Sequence, residues 1–269
     1  VKQKPIYVEI EMTSDLDKLW EYTQNPSLHK EWDLRFSDIT YLHRGVNEPQ
    51  RFLYETRIGF GLKVSGAGET AGTKLHSSQR VSSLAFSSNH PLSLIKKGSG
   101  YWKYIQHDNG KLTFMTQYQY ETAYGFLGRW IDRLLFRPLM GWATAWSFDS
   151  LRLWIEQNKH PKQLIRYAFV YMLTCLFFSL FWFYHGFADR ETNNMARAAI
   201  IVLGILWLSP LKRKWILHAV QACIFAVYAF LDAGICSLLL SVVTAASGLI
   251  SLRLPSARHT ERKKKEVKW

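Results

Sequence analysis

Ionisable and nucleophilic side chains are plentiful in this chain, but their spacing assembles no catalytic set. Glu31 and Asp33 flank Trp32 as a candidate acid/base pair; on a helix, positions two apart diverge, so they read as a solvated face. The histidines (His29, His43, His76, His90, His107, His160, His185, His218 and His259) show no HExxH or HxH spacing, and no metal site is expected. Cys175, Cys223 and Cys236 show no CxxC spacing and cannot form a complete disulfide set, which excludes a secreted, disulfide-stapled scaffold. Gly59, Gly61, Gly66, Gly68 and Gly72 are dense, and Gly66-x-Gly68 echoes a dinucleotide fingerprint. No helical pattern follows it, so these glycines read as bulges and bends of a sheet. No Ser-His-Asp or activated-Cys arrangement is apparent. Of the residues, 48% are apolar and 15% aromatic, which excludes disorder for most of the chain.

The elements that would position a site change character near residue 160. Ile6–Thr13 alternates, with Ile6, Val8, Ile10 and Met12 on one face of a half-buried strand. Ser14 reads as the N-cap of a short helix from Asp15, and Asn25-Pro26 starts a second one reaching about Trp32. Strand-like runs follow at Ser37–Arg44, Gln50–Ile58, Leu62–Thr70, Arg80–Ser88, Gly100–His107 and Lys111–Tyr124, the last two joined by the hairpin signal Asp108-Asn109-Gly110. After Gly125 the period becomes helical through Leu127, Trp130, Ile131, Leu134, Trp142, Ala145, Trp146, Asp149 and Leu153. Pro138 should kink or split this helix. Antiparallel strands in sequence followed by one long helix predict an α+β domain over residues 1–160, with a curved sheet around that helix.

Residues 161–256 read as a membrane domain. Tyr167–Phe187 is twenty-one residues without a formal charge, about 31 Å of helix against a hydrocarbon core of roughly 30 Å. Further apolar runs complete four predicted spans at about 167–187, 196–211, 215–231 and 233–252, an all-α bundle, with a basic tail at 257–269. The formal net charge of +13 is unevenly spread: 34 Lys+Arg stand against 21 Asp+Glu. From residue 161 onward, twelve of the fourteen basic residues fall on one side of the spans. The positive-inside rule then puts both termini in the cytoplasm of a multi-pass inner-membrane protein. Lys212, Arg213 and Lys214, and the tail residues Arg258, Arg262, Lys263, Lys264 and Lys265, are expected at the membrane surface, facing anionic headgroups. Nucleic acid is not an expected partner, since no reader fold accompanies the basic tail. His185, His218 and Asp232 are the ionisable residues within or at the ends of the spans; interfacial capping and contact with a proton or quinone are both open readings for them.

The opening VEIEMTSDLDKLWEYTQNPSLHKEWD and the closing GFLGRWIDRLLFRPLMGWATAWSFDSLRLWIEQ of residues 4–157 resemble the SRPBCC superfamily, the START/polyketide-cyclase helix-grip fold. The FWFYHG of Phe181–Gly186 and the LRLPSARHTERK of Leu252–Lys263 are similar to the DoxX-like four-span family, although the short Leu231–Gly234 link departs from its pattern. The first resemblance implies a deep apolar cavity between sheet and long helix, with Trp32, Phe36, Tyr54, Tyr104, Phe114, Tyr118, Trp130, Leu134 and Trp142 as ligand-binding candidates. The leading expectation is a membrane-anchored binding protein for an apolar small molecule, lipid or quinone, without a resident cofactor. The DoxX-like resemblance implies a second reading, an accessory subunit partnering a quinone-linked membrane oxidoreductase. A cyclase-type enzyme is the third, and it lacks an identifiable acid/base pair.

Overall fold

The computed structural model describes residues 4–45, 48–59, 61–188, 218–224, 226 and 235–251. The chain divides between Pro161 and Lys162 into two compact units.

The first unit is an α+β domain built on one antiparallel sheet. Strand β1 (Ile6–Thr13) leads into α1 (Leu16–Gln24) and α2 (Pro26–Trp32). Six strands follow: β2 (Asp38–Tyr41), β3 (Arg51–Gly59), β4 (Leu62–Leu75), β5 (Gln79–Ser87), β6 (Ile95–Gln106) and β7 (Lys111–Thr122). The spatial order is β1-β7-β6-β5-β4-β3-β2, so the first strand closes against the last and the rest form a meander. Helix α3 (Gly125–Ile131), a π-turn (Asp132–Phe136) and α4 (Arg137–Gln157) complete the unit. Sheet plus long C-terminal helix is the helix-grip arrangement implied by the SRPBCC resemblance.

Local chemistry explains most boundaries. The N-cap of α1 is Asp15, one residue later than expected. Its Oδ1 accepts from the Asp17 and Lys18 amides at 2.6 and 3.2 Å, satisfying two donors that the helix cannot. Asn25 caps α2 through the Ser27 amide, with Pro26 in the first turn, where its missing N–H costs nothing. Gly110 takes φ +75° in the β6–β7 hairpin, the left-handed conformation that glycine adopts without strain. Pro138 splits the last helix as expected: it sits in the first turn of α4, directly after the π-turn, whose wider ring runs from the Arg137 amide to the Asp132 carbonyl.

The core lies between α4 and the β1–β7 side of the sheet. Phe114 on β7 stacks on Phe148 of α4 with centroids 4.3 Å apart, and on Tyr104 of β6 at 4.9 Å. Trp32, Leu19, Leu112 and Leu151 close around them, and Trp32 donates its indole N–H to the Tyr22 carbonyl at 2.9 Å. Each fully buried ring contributes roughly 2–3 kcal/mol of transfer free energy, so this end of the sheet is a filled core.

The second unit contains α5 (Pro161–Ala188) and α6 (Ile235–Ser251), with residues 218–224 helical between them. Pro161–Phe181 is long and apolar enough to cross a membrane, with a mean hydropathy of 1.8. On α5, Phe169, Met172, Phe177 and Leu180 are all about half exposed, a costly surface in water and a neutral one in hydrocarbon. Of the four expected spans, the first falls on α5 and the fourth on the 17-residue α6, while the second lies outside the described residues and the third is described only in part. His218 is buried, its Nε2 3.2 Å from the Tyr171 hydroxyl of α5, and it packs where Gly248 of α6 has no side chain. The side chain of His185, and Asp232, Lys212, Arg213, Lys214, Arg258, Arg262, Lys263, Lys264 and Lys265, lie outside the described residues.

Candidate functional site

A cleft of about 990 Å³ opens over the sheet beside the packed core, bordered by β3–β7, α3 and the start of α4. Its floor follows from a side-chain alternation across strands rather than along them. Phe52 pairs with Gly68, Gly68 with Phe86, Phe86 with Gly98, and Gly98 with Tyr120, a row of large and small residues on one face. The Phe52 and Phe86 rings lie down over Gly68 and Gly98, so closely that a Cβ on either glycine would collide with the ring. Tyr54 lies over Gly66 in the same way, and the Cβ of Tyr118 stands against Gly100. Rings lying flat on glycine leave space above the sheet that upright side chains would fill. The cleft is thus written into the sequence as aromatic–glycine pairs in register.

These glycines correct the expectation of bulges. Gly59 and Gly72 do sit at register shifts, and Gly61 takes φ +77° at the β3–β4 turn. Gly66 and Gly68 lie in regular ladder and serve as ring seats. The same small residues hid the first half of β6, whose Lys97-Gly98-Ser99-Gly100 looks like a loop in sequence.

The rim is polar and mainly cationic. Arg51, Lys97, Arg129 and Arg137 border the cleft with Glu69 and Glu121. Arg51 approaches Glu69 at 3.8 Å and Lys97 approaches Glu121 at 3.3 Å, both exposed pairs of little individual strength. At one end the phenol of Tyr120 donates to Asp132 Oδ1 at 2.6 Å, Arg137 Nε donates to Asp132 Oδ2 at 3.1 Å, and the guanidinium lies 4.8 Å from the Tyr120 ring centre. Burial first, and then the Asp132 carboxylate, push the Tyr120 phenol above its ordinary range, so it stays a donor at neutral pH. This trio pins the π-turn to β7. The phenol of Tyr54 is likewise pushed up to about 12 by burial and donates to the Ser87 carbonyl at 3.3 Å.

A second ionic group lies beneath the core. Asp33, at the C-terminus of α2, is 1% exposed and overturns the solvated-face reading. Its carboxylate accepts from Arg35 Nε at 2.8 Å and Nη2 at 2.6 Å, and His29 Nε2 lies 3.1 Å away. Burial alone would raise this carboxyl; the guanidinium and then the His29 side chain outweigh that and hold it well below the usual carboxylate range. The Arg35 guanidinium in turn sits 5.5 Å from the ring centres of Phe36 and Tyr118. The chain turns inward here because α2 ends at Trp32, which frees Asp33 from the helical face on which sequence spacing placed it. Buried and doubly bonded, this pair reads as structural. Glu31 lies apart from it, 4.0 Å from His160. Among the described residues, no three His, Cys, Asp or Glu side chains converge on a metal site.

The nine expected ligand residues distribute differently from the expectation. Trp32, Tyr54, Tyr104, Phe114 and Tyr118 are buried, and Phe36 is half-buried against Tyr54 and His29. Trp130, Leu134 and Trp142 are 57%, 59% and 50% exposed. An unbroken helical period from Leu127 to Trp142 would turn these residues to the sheet, but the π-turn adds a residue per turn and changes which positions face it. None of the nine borders the cleft. The cleft residues Phe52, Phe86 and Tyr120 were missed; their signal was the cross-strand match of Phe or Tyr to Gly.

No family model matches the chain. The uncharacterized membrane protein YndG of Bacillus subtilis (strain 168) is 71% identical over 268 residues, covering 99% of this chain and 100% of its own. Among solved structures, the chain resembles hypothetical protein jhp0584 of Helicobacter pylori at 14% identity, over 58% of this chain and 89% of that one, with a TM-score of 0.47. It also resembles the Zhui aromatase/cyclase of Streptomyces sp. R1128 at 13% identity, over 56% and 94% of the two chains, with a TM-score of 0.41. The STAR-related lipid transfer protein of Xanthomonas axonopodis matches at 10% identity, over 54% and 82%, with a TM-score of 0.40. At 10–14% identity these likenesses concern the course of the chain alone.

Proposed function

Since this chain belongs to the family of the membrane protein YndG, we propose that it is a membrane-anchored binding protein whose sheet domain holds an apolar small molecule or lipid in the cleft over Phe52, Phe86 and Tyr120. The observation that carries this reading is the floor of rings laid over glycines, which keeps about 990 Å³ open beside an otherwise filled core. That volume is at the upper end of small-molecule sites, which run from roughly 300 to 1,000 Å³. An apolar body on the rings and an acidic or hydroxylated head between Arg129 and Arg137 fit its two surfaces. Quinones meet the first requirement and the hydroxyl or carbonyl form of the second.

The membrane attachment is supported by the apolar length of α5 and by the family. Four spans with both termini in the cytoplasm, as the charge pattern suggests, belong to this proposal, as does the DoxX-like character of the membrane half. The physical advantage of joining the two parts is local concentration. A tethered cleft samples bilayer-dissolved ligands without a long aqueous path. Purifying the full chain in native nanodiscs, then extracting and weighing its small molecules, tests the reading. A molecule retained in near-stoichiometric amount, and lost in Phe86→Ala, is expected. An extract indistinguishable from the bulk lipid of an empty nanodisc would refute it.

A further inference from the structure

The segment that borders the cleft turns a second, outward surface to its surroundings. Phe126, Leu127, Trp130, Leu134, Leu139 and Trp142 are each between 50% and 78% exposed. The first four fall at helical spacing along one stripe, and the i→i+5 ring of the π-turn swings Leu139 back toward it. A contiguous apolar strip of this size is unusual on a domain facing water and marks an interaction surface.

The charges beside it say what kind of surface it meets. Arg129 and Arg133 are exposed and form no ion pair among the described residues. Asp132 is the only carboxylate between Glu121 and Asp149, and it is fully buried, bonded to Tyr120 and Arg137. The outward surface contributed by residues 122–148 is therefore apolar, tryptophan-bearing and cationic. A second copy of the chain would bring Arg129 and Arg133 against their own symmetry mates, like charges in an apolar contact. Lipid headgroups offer the complement: phosphates for the arginines, the glycerol region for the tryptophans and acyl chains for the leucines.

We propose that residues 125–142 form a second membrane contact, which seats the sheet domain on an anionic lipid surface. This rests on the membrane attachment argued above, but not on any ligand in the cleft. Arg129 and Arg137 also border the cleft, so the contact places one wall of the cleft at the headgroups, where an acyl or isoprenoid ligand enters.

The test uses the full chain in bacterial membranes containing phosphatidylglycerol. p-Benzoyl-phenylalanine is placed by amber suppression at Leu134 or Phe126, both exposed, and at Leu75 on β4, which is 62% exposed, as the reference. After irradiation, mass spectrometry identifies what is attached. Phospholipid adducts at 134 and 126 are expected at least about tenfold above those at 75, falling about fivefold for each charge removed in Arg129→Gln and Arg133→Gln. Crosslinks to a second copy, crosslinks within the chain to residues 162–269, or yields equal to those at 75 overturn the proposal. Carbonate washing before irradiation separates the two claims. A chain released by the wash refutes the membrane attachment itself, and a chain that stays but forms no lipid adduct refutes this contact alone.

Discussion

Adding one methyl group at Gly98 tests the ring-on-glycine floor with a change of sign. Gly98 lies in regular strand and has no positive φ. Replacing such a glycine with alanine ordinarily stabilises a strand by about 0.5–1 kcal/mol, because the unfolded chain loses freedom. Here the new Cβ would lie 2.5 Å from Phe86 Cε2 and 2.7 Å from the Gln119 carbonyl oxygen. The ring can swing into the cleft, but the backbone carbonyl is fixed by the β6–β7 ladder. Overpacking of this kind costs about 1–3 kcal/mol, so Gly98→Ala should lose about 1–2 kcal/mol net. For a domain of this size that lowers Tm by roughly 2–8 °C, measured by near-UV circular dichroism of the full chain in detergent. Gly72 supplies the control: nothing lies within 4 Å of its Cβ position and its φ is ordinary, so Gly72→Ala should gain about 0.4–1 kcal/mol. In a Phe86→Ala background the cost of Gly98→Ala should shrink to the part owed to Gln119. A Gly98→Ala protein that melts at or above wild type would refute the reasoning.

Other perturbations reach the remaining parts of the domain. Asp33→Asn leaves the Arg35 guanidinium buried without its counter-charge and should cost about 3–5 kcal/mol at neutral pH, read by chemical denaturation. Because the Asp33 carboxyl is held below its unfolded value, the pair's contribution is complete above about pH 4 and fades as pH falls through the folded value. Wild type should therefore lose stability in acid more steeply than Asp33→Asn. Tyr120→Phe removes one of the two partners of the buried Asp132 and should cost about 1–3 kcal/mol, with faster hydrogen exchange in the π-turn than in β1. Phe148→Ala opens the stack on Phe114 and should cost about 3–5 kcal/mol without enlarging the cleft, which neither ring lines.

Much of the scaffold is legible in the chain because local chemistry decides it. The alternation of Ile6–Thr13, the Asn25-Pro26 helix start, the Asp108–Gly110 hairpin and the break at Pro138 all match the structure. These are contests between a few neighbouring groups, and the sequence displays both sides. The site was less legible because its determinants are paired across strands. Phe86 and Gly98 are twelve positions apart and meet only once the β5–β6 register is known. Counting aromatics on a thin sheet found the filled core, Trp32, Tyr104 and Phe114, because hydrophobicity alone does not distinguish a ring that packs from a ring that roofs a glycine. Trp130, Leu134 and Trp142 misled for a different reason. Their period fits a buried helix and an interfacial one equally well, and a single π-turn shifts the register that would separate them. Asp33 shows the same limit on a smaller scale: the helix ends one residue before it, and that one residue reverses its environment.

The central claim is that the cleft over Phe52, Phe86 and Tyr120 holds an apolar ligand taken from the membrane. A crystal structure of the full chain, extracted with its native lipids and never delipidated, tests it most directly. The account predicts one elongated, continuous density lying along the Phe52 and Phe86 rings, with its polar end between Arg129 and Arg137. Ordered water alone in that cleft, at full occupancy of the protein, would contradict it.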